Sequence, residues 1–356
     1  MKTTRNSVII CIVLSVTILS QKKYPDPEKE TIRFITGQIY KSFERLARSE
    51  ILLLPKNQAW KENVPEVKTV LIRSSADSTE QPALFYDSKS NRKKPLLCAL
   101  HSWSEDYQQH YSIPYGIWAV QNDWVLIHPD YRGPFTNPGS TLSQYAIQDI
   151  LDAVEYAKKN AKIDESRVYI TGFSGGGMAT LMMAGRYPEI WAGAAAWVPV
   201  YDLVQWYESI KNARHNYSKH IINSCGGPPL PGTEAEKECR KRSVSMYLKN
   251  AKNKNVQVYI AAAVADKFVP PGQAIRAFND LAFENDLFSE TDIDYINTNN
   301  KLPAHLESSF SDSLFTDAGL ECLYNKKSAN VILKIFSGNH NIIYNAGLYW
   351  LSRQRR

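Results

Sequence analysis

Ser174 carries the strongest chemical signal in the chain, because it stands in the stretch GFSGG at positions 172–176. An apolar run at 168–170 precedes this stretch, and residues 178–185 after it are compatible with a helix. A Gly-x-Ser-x-Gly turn between a strand and a helix leaves room for a single side chain and lifts its hydroxyl into a cleft. The pattern predicts that Ser174 is a nucleophile. The alternative is a glycine-rich turn with an incidental serine, since short glycine patterns recur by chance.

An acid and a histidine follow in positions that favour the first interpretation. Asp266 comes just after the apolar strand candidate 256–263, and His340 comes just after the strand candidate 330–336. In an open parallel sheet, sites assemble at the edge where the strands have their carboxyl ends. We therefore expect Asp266 and His340 to converge on Ser174, although the three residues are far apart in the chain.

Together, these three residue types can perform acyl transfer. A serine hydroxyl is a weak nucleophile at neutral pH, so His340 is predicted to accept the proton of Ser174. An ionised carboxylate, here Asp266, holds such an imidazole in the correct tautomer and stabilises the imidazolium. The attacked carbonyl becomes an oxyanion, which requires preorganised hydrogen-bond donors.

Two backbone amides are predicted to bind that oxyanion. Gly175 can supply the first, because it is the residue after the nucleophile. The second is expected from the loop that follows the apolar strand candidate 95–100 and reads HSWS at 101–104. Either Ser102 or Trp103 is predicted to supply this amide.

Further motifs accompany these residues along the chain. They are LHSW at 100–103, HPDYRG at 128–133, DILDA at 149–153, GFSGGG at 172–177 and ADKFVP at 265–270. Together they resemble the prolyl-oligopeptidase-like branch of the α/β-hydrolases, and the resemblance covers about residues 90–350. It implies an α/β-hydrolase fold, with a mostly parallel central sheet and helices on both faces.

The resemblance also implies roles for individual residues in a serine hydrolase. It carries the nucleophile over to Ser174, the acid to Asp266 and the base to His340. The family often has two glycines before its histidine, whereas this chain has Asn339 in the second of those places. This difference affects the local turn and leaves the base in place.

Apolar periodicity divides the chain into an N-terminal extension and a core. Residues 21–90 form the extension, with an amphipathic helix over 31–54 and antiparallel strands at 67–73 and 83–86. Residues 91–356 are predicted to form the α/β catalytic core, in which strands and helices alternate.

Two insertions interrupt the predicted core, at about 203–250 and 287–328. Both are expected to form helices or loops over the site or beside it, and to set specificity. Aromatic rings that face a cleft would suit sugar rings or phenolic acyl groups, whereas burial in the core is the commoner case. An arginine there could bind a carboxylate or form a structural salt bridge. The substrate-binding candidates are His101, Tyr131, Arg132, Trp197 and Tyr201.

Composition limits the partners of the chain. Its 356 residues are 44% hydrophobic and carry a formal charge of +6, which argues against a dedicated nucleic-acid surface. The basic clusters 92–94 and 240–242 are interpreted as solvated loop charges. No spacing of cysteines or histidines indicates a metal site, and no cofactor is predicted. The sequence leaves the oligomeric state open.

The N-terminus predicts export. Lys2 and Arg5 precede an uncharged run at 7–20 that is rich in Val, Ile and Leu, and residues 21–23 are polar again. This pattern is typical of a signal peptide over 1–20, and hence of a periplasmic or extracellular protein. A membrane span needs about 20 apolar residues, so no stable span is expected and an uncleaved anchor is the alternative.

An exported chain can keep disulfides, and four cysteines follow the predicted signal. Cys225 and Cys239 bracket a Gly- and Pro-rich loop that a bridge would close. Cys98 lies in a predicted buried strand and is interpreted as a core residue. Four cysteines, with Cys322 as the last, allow three full pairings, so the pairing stays open.

The expected activity is hydrolysis of carboxylic esters through an acyl-enzyme, on a small or polysaccharide ester such as an acetylated or methyl-esterified plant polysaccharide. A prolyl-oligopeptidase-like peptidase is the main alternative. The resemblance implies that such peptidases carry a large N-terminal propeller, for which residues 1–90 are too few. A non-catalytic binding module on the same fold is the second alternative, because fold alone does not fix function.

Overall fold

A single nine-stranded sheet organises the protein, whose computed structural model describes residues 31–307 and 310–356. In chain order the strands are β1 (Lys68–Arg73), β2 (Glu80–Tyr86), β3 (Lys94–Leu100), β4 (Val125–Pro129), β5 (Ile163–Phe173), β6 (Gly193–Trp197), β7 (Gln257–Ala263), β8 (Cys322–Ser328) and β9 (Val331–Phe336). The helices are α1 (Phe43–Ala47), α2 (Lys56–Asn63), α3 (Ile113–Asn122), α4 (Gln144–Asn160), α5 (Gly175–Arg186), α6 (Leu203–Ile210), α7 (Tyr217–Cys225), α8 (Glu234–Lys241), α9 (Pro271–Leu281), α10 (Glu290–Asn299), α11 (Ser313–Asp317) and α12 (Tyr344–Ser352).

The sheet is mostly parallel. Its strand order is β1-β2-β4-β3-β5-β6-β7-β9-β8, and every pairing from β4 to β9 in this order is parallel. The antiparallel pairings lie towards the two ends, where β2 pairs with β1 and β4, and β8 pairs with β9. This arrangement confirms the predicted fold class.

Helices cover both faces of the sheet because its central strands are apolar on both sides. In β3, Leu96, Cys98 and Leu100 face one core, and Leu97 and Ala99 face the other. Helices α4, α5 and α9 pack into the first core, whereas α3 and α12 pack into the second. The loops after β3, β5, β7 and β9 consequently meet at one edge of the sheet.

The N-terminal extension differs from the prediction. The predicted antiparallel strands are confirmed as β1 and β2. The single helix over 31–54 is wrong, because this segment contains the short α1 between two 3₁₀ turns at Gln38–Tyr40 and Glu50–Leu53. Ser42 and Ser49 have extended backbone, and the Ser42 hydroxyl accepts a hydrogen bond from the Arg45 N–H at the start of α1. Serines favour such helix starts and interrupt a continuous helix.

The two insertions have different structures. Residues 203–250 contain α6, α7 and α8, and a disulfide joins Cys225 at the end of α7 to Cys239 in α8. Residues 287–328 contain α10 and α11 and also supply β8, the antiparallel edge strand. The prediction of only helices or loops was therefore wrong for the second insertion.

The remaining cysteines and the N-terminus complete the comparison. Cys98 is buried in β3 as a free thiol, as predicted, and Cys322 is a second buried free thiol. The predicted signal peptide at 1–20 lies outside the described residues. Within 31–307 and 310–356, no helix is both long and apolar enough to cross a membrane.

Candidate active site

Ser174 occupies a sharp turn between β5 and α5. Its backbone has φ 57° and ψ −118°, a conformation that non-glycine residues rarely adopt. The turn is held in place because the Ser174 N–H donates to the Trp197 carbonyl at 2.9 Å. Such strain persists only where the surrounding structure imposes it, and it concentrates at functional sites.

Glycines make this turn possible. A Cβ atom on Gly172 would lie 2.3 Å from the Gly176 carbonyl oxygen, and a Cβ on Gly176 would lie 2.4 Å from the Leu100 carbonyl oxygen. No side chain fits at such distances. The glycines therefore allow the turn to close on itself and on the end of β3.

Asp266 and His340 form a hydrogen-bonded pair beside this turn. His340 Nδ1 donates to Asp266 Oδ2 at 2.6 Å, because an ionised carboxylate can only accept. The other carboxylate oxygen accepts the N–H groups of Phe268 at 2.9 Å and Val269 at 3.0 Å. Nε2 is the ring nitrogen that this hydrogen bond leaves available, and His340 and Ser174 line the same cleft.

The two predicted oxyanion donors after β3 differ in their surroundings. The Ser102 N–H already donates to Gln109 Oε1 at 2.9 Å. The Trp103 amide instead lies against the nucleophile turn, since a Cβ atom on Gly175 would be 2.7 Å from Trp103 N. The Trp103 amide nitrogen therefore lies close to Gly175, the residue that follows the nucleophile, and Trp103 lines the cleft.

A buried relay of polar side chains lies behind this loop. Gln109 Nε2 donates to Ser112 Oγ at 2.6 Å, and His128 Nε2 lies 2.6 Å from the same oxygen. All three side chains are buried. Burial lowers the pKa of His128 to about 3, so the imidazole remains neutral. This hydrogen-bond network could not be predicted from the sequence, because Gln109 and Ser112 belong to no motif.

The cleft at the site has a volume of about 420 Å³ and is lined by both aromatic and polar side chains. Residues from the N-terminal extension and from the first insertion contribute to it, and none of its described lining residues comes from 287–328. The lining residues are Phe43, Glu44, Ala47, Arg48, Ser102, Trp103, Ser104, Glu105, Tyr111, Phe173, Ser174, Tyr217, Phe268, Asn339, His340 and Asn341.

Two predicted substrate contacts are structural instead. His101 and Tyr131 are fully buried and stacked, with ring centroids 4.0 Å apart. The Tyr131 hydroxyl donates to the His101 carbonyl at 2.6 Å, and His101 Nε2 lies 2.6 Å from the Asp130 carbonyl oxygen. These groups hold the loops after β3 and β4 together, so the predicted contact with substrate is corrected for both residues.

Arg132 also has a structural environment. Its Nε donates to Asp149 at 2.5 Å and its Nη1 donates to Asp77 at 2.7 Å. It is absent from the cleft lining. The sequence left two roles open for Arg132, and the structure contains the structural salt bridge. The expected contact between Arg132 and a substrate carboxylate is therefore corrected.

Trp197 and Tyr201 are buried below the cleft. Trp197 packs against Phe336 with ring centroids 6.0 Å apart, and its backbone carbonyl supports Ser174. The Tyr201 hydroxyl donates to Asp280 at 2.7 Å. Neither side chain lines the cleft. Trp197 ends β6 and Tyr201 follows soon after it, which is why the sequence suggested that both lie near the site. Both side chains instead point into the core.

The described residues, 31–307 and 310–356, contain no group of three or more His, Cys, Asp or Glu side chains that could hold a metal ion.

The sequence and the fold both match a known family. The sequence model of the prolyl oligopeptidase family matches residues 121–296. The fold is similar to that of the acylaminoacyl peptidase of Pyrococcus horikoshii, with a TM-score of 0.52 and 15% identity over 81% of this chain and 40% of that chain. The chain has the fold of the α/β-hydrolases and is similar to their prolyl-oligopeptidase-like branch. At this identity, the structural likeness itself shows the fold alone.

The sequence relatives of this α/β-hydrolase include proteins named as esterases. An acetylxylan esterase of Coprinopsis cinerea is 27% identical over 38% of this chain and 39% of its own length. A feruloyl esterase B of Thermothelomyces thermophilus is 29% identical over 33% of this chain and 43% of its own length. A poly(3-hydroxyalkanoate) depolymerase C of Paucimonas lemoignei is 32% identical over 28% of this chain and 27% of its own length. The matches thus span less than half the length of these curated relatives.

Proposed function

We propose that the protein is an exported serine hydrolase that cleaves carboxylic esters of carbohydrates through an acyl-enzyme. The observation that carries this proposal is that Ser174, in its strained turn, shares one cleft with the hydrogen-bonded Asp266–His340 pair. This set of groups can activate a serine for attack on a carbonyl carbon.

In the proposed mechanism, Ser174 attacks the ester carbonyl while His340 Nε2 accepts its proton. Asp266 keeps the proton of His340 on Nδ1 and stabilises the imidazolium that forms. His340 then donates its proton to the leaving alcohol, and the acyl group remains on Ser174. Water repeats the sequence on the acyl-enzyme and releases the acid.

The negative charge of the tetrahedral intermediate is assigned to the Gly175 and Trp103 amides. Of the two donors considered after β3, Trp103 is favoured because the Ser102 amide already donates to Gln109. Backbone amides held in this way need no reorganisation during the reaction, and one such donor is typically worth about 10²- to 10³-fold in rate.

Ester substrates are favoured over peptides by the relatives. Esterases for acetylxylan and for feruloyl groups are among the proteins whose sequences match, and the third relative is named as a polyester depolymerase. The peptidase alternative is supported by the match to the prolyl oligopeptidase family. Both activities use the same chemistry at the serine.

Export is proposed from the N-terminal pattern and the disulfide. Disulfides persist in oxidising compartments, and the Cys225–Cys239 bridge would be stable there. We also propose that residues 91–356 are the catalytic core and that residues 21–90 extend it.

The experiment is a release assay with purified protein. Acetate, methanol and ferulate are measured from a panel of esterified polysaccharides, beside a set of dipeptide amides with matched acyl groups. Wild type is compared with Ser174→Ala, and with Ser104→Ala as a control for a nearby serine in the cleft lining.

Ester release that Ser174→Ala abolishes and Ser104→Ala retains would support the proposal and identify the acyl group. Faster turnover of the peptide amides than of the matched esters would establish the peptidase. Absence of turnover on every substrate would favour a binding module on a hydrolase fold.

A further inference from the structure

Aromatic rings stand on two sides of His340 in the cleft. On one side, Phe43 stacks on Phe173 with centroids 4.7 Å apart, and Phe173 lies 4.7 Å from the His340 ring. On the other side, Phe268 lies 5.5 Å from His340 and 6.3 Å from Tyr217. Phe268 is 42% exposed and lines the cleft together with Phe43, Phe173 and Tyr217. These rings give a substrate apolar and aromatic surface next to the base.

Phe43 and Phe173 form one wall of the cleft, and contacts of the backbone near Phe43 fix this wall in position. The Phe43 N–H donates to the Ile342 carbonyl at 3.0 Å, and the Glu44 N–H donates to Asn341 Oδ1 at 3.1 Å. Asn341, which directly follows His340, is 2% exposed. Helix α1 of the N-terminal extension is thus attached to the loop that carries His340, and Phe43 is held at the reacting groups.

Each charged carboxylate or guanidinium group of the cleft lining is in an ion pair. Glu44 pairs with Arg48, and Glu105 pairs with Lys56 at 2.7 Å. Apart from His340, the described lining residues therefore offer a substrate neither an unpaired cation nor an unpaired anion. A neutral substrate group fits this surface better than a carboxylate or an ammonium group, because a charge would lose its hydration without gaining a partner.

We infer that the cleft selects esters that carry a neutral aromatic ring, and that Phe43 is a specificity-determining residue for that ring. This inference rests on the proposed ester hydrolysis. Aromatic pairs prefer edge-to-face and offset-stacked contacts that a saturated ring cannot reproduce. The ring can belong to the acyl part or to the alcohol part of the ester, and the substrates below separate these two sources.

The test uses two pairs of esters and a reference. Methyl phenylpropanoate and methyl cyclohexylpropanoate carry the ring in the acyl part, whereas benzyl acetate and cyclohexylmethyl acetate carry it in the alcohol. Methyl acetate is the reference without a ring. Within each pair, size and apolar character are similar, so the ratio of kcat/KM values reports selection for an aromatic ring.

The variants are Phe43→Ala, Phe43→Leu and the control Phe34→Ala. Leucine keeps an apolar side chain against Tyr111 and Phe173 and thereby protects the fold if alanine does not. Phe34 lies in the same extension but packs on Trp118 and Tyr349, away from the cleft. Circular dichroism checks that each variant is folded.

Wild type is expected to favour the aromatic member of one pair about tenfold, an effect of the size that aromatic contacts produce. Phe43→Leu and Phe43→Ala should both reduce this ratio to near one, and should lower kcat/KM for the aromatic ester more than for methyl acetate. Phe34→Ala should retain the wild-type ratio. The pair that shows the preference identifies the part of the ester that carries the ring.

Equal turnover within both pairs by wild type would overturn the inference, and so would a preference that persists in both Phe43 variants. Failure of wild type to hydrolyse any of the five esters would also overturn the inference. The polysaccharide release assay then separates the two claims, because ester release there would leave the proposed ester hydrolysis standing and its absence would refute both.

Discussion

The catalytic edge and the cleft walls of this protein differ in the kind of sequence that forms them. The catalytic edge comprises the loops after β3, β5, β7 and β9, which carry Trp103, Ser174, Asp266 and His340. The cleft walls comprise α1 and the start of α7, which supply Phe43 and Tyr217. Parallel strands bring the first set together automatically, whereas the second set reaches the cleft only through tertiary packing.

The difference teaches that sequence reveals the chemistry of such a site more readily than its shape. The residue types at the catalytic edge follow from local requirements. The strained turn can form only with glycines around the serine, and the histidine base needs a carboxylate to orient it. No such local requirement marks the positions whose aromatic rings form the cleft walls. Phe43 reaches the site because α1 is attached to the loop after His340 through Asn341.

The largest expected effect tests the catalytic edge. Asp266→Asn keeps the shape of the side chain but can no longer hold the proton on His340 Nδ1, so kcat for esters should fall about 10⁴-fold. Steady-state kinetics on the best ester of the panel measures this. Asp280→Asn, a buried aspartate bonded to Tyr201, is the matched control and should stay close to wild type. Similar losses in both variants would show that Asp266 has a structural role only.

The second effect concerns the junction of two loops at the same edge. Gly175→Ala would place a Cβ atom 2.7 Å from Trp103 N and 2.8 Å from Trp103 Cα, so the oxyanion amides must separate. A loss of about 10²- to 10³-fold in kcat is expected, because one donor is displaced. Gly139→Ala is the control, since its Cβ would meet the end of the Asn137 side chain at 3.2 Å. Unchanged kcat in Gly175→Ala would remove Trp103 from the oxyanion site.

The third effect belongs to the cleft walls and should change stability rather than chemistry. The Cys225–Cys239 bridge joins α7 to α8 across a sequence separation of 14. Replacing both cysteines with serine should lower the free energy of unfolding by about 3 kcal/mol, because a loop of this length gains entropy in the unfolded chain. Urea unfolding with and without reductant measures this. Reductant should destabilise wild type and leave the double variant unchanged, and equal stability of both proteins would contradict the prediction.

The smallest effect concerns Gln109, a positioning residue that acts through the Ser102 amide. Gln109→Leu removes the acceptor that fixes the loop after β3, so the Trp103 amide should lose its orientation. We expect kcat to fall about tenfold with little change in KM, because the amide contributes mainly in the transition state. Gln108→Leu is the control at the neighbouring position. A change in KM alone would indicate altered substrate binding instead.

Much of the fold could be predicted from local signals. The apolar strand that contains Cys98, the antiparallel pair at 67–73 and 83–86, and the alternation of strands and helices were all readable from periodicity. Strand β8 could not be predicted, because it is only partly buried and its asparagine and lysines give no apolar alternation. The helix predicted over 31–54 failed because Ser42 and Ser49 restart the helical turns.

The substrate contacts show the same limit. Tyr131, Trp197 and Tyr201 stand next to strand ends, yet their side chains are buried. Tyr217 and Phe268 line the cleft, and nothing in their local sequence distinguishes them from the buried rings. The direction of a side chain after a strand end depends on the loop conformation, which short motifs do not determine.

The central claim is that His340 activates Ser174, and covalent labelling tests it most directly. Folded wild type and His340→Gln are treated with a fluorophosphonate, and the modified peptide is identified by mass spectrometry. We predict rapid labelling of Ser174 in wild type, labelling slowed by several orders of magnitude in His340→Gln, and none in unfolded protein. Labelling of Ser174 at the same rate in both folded proteins, or no labelling of Ser174 in wild type, would contradict the account.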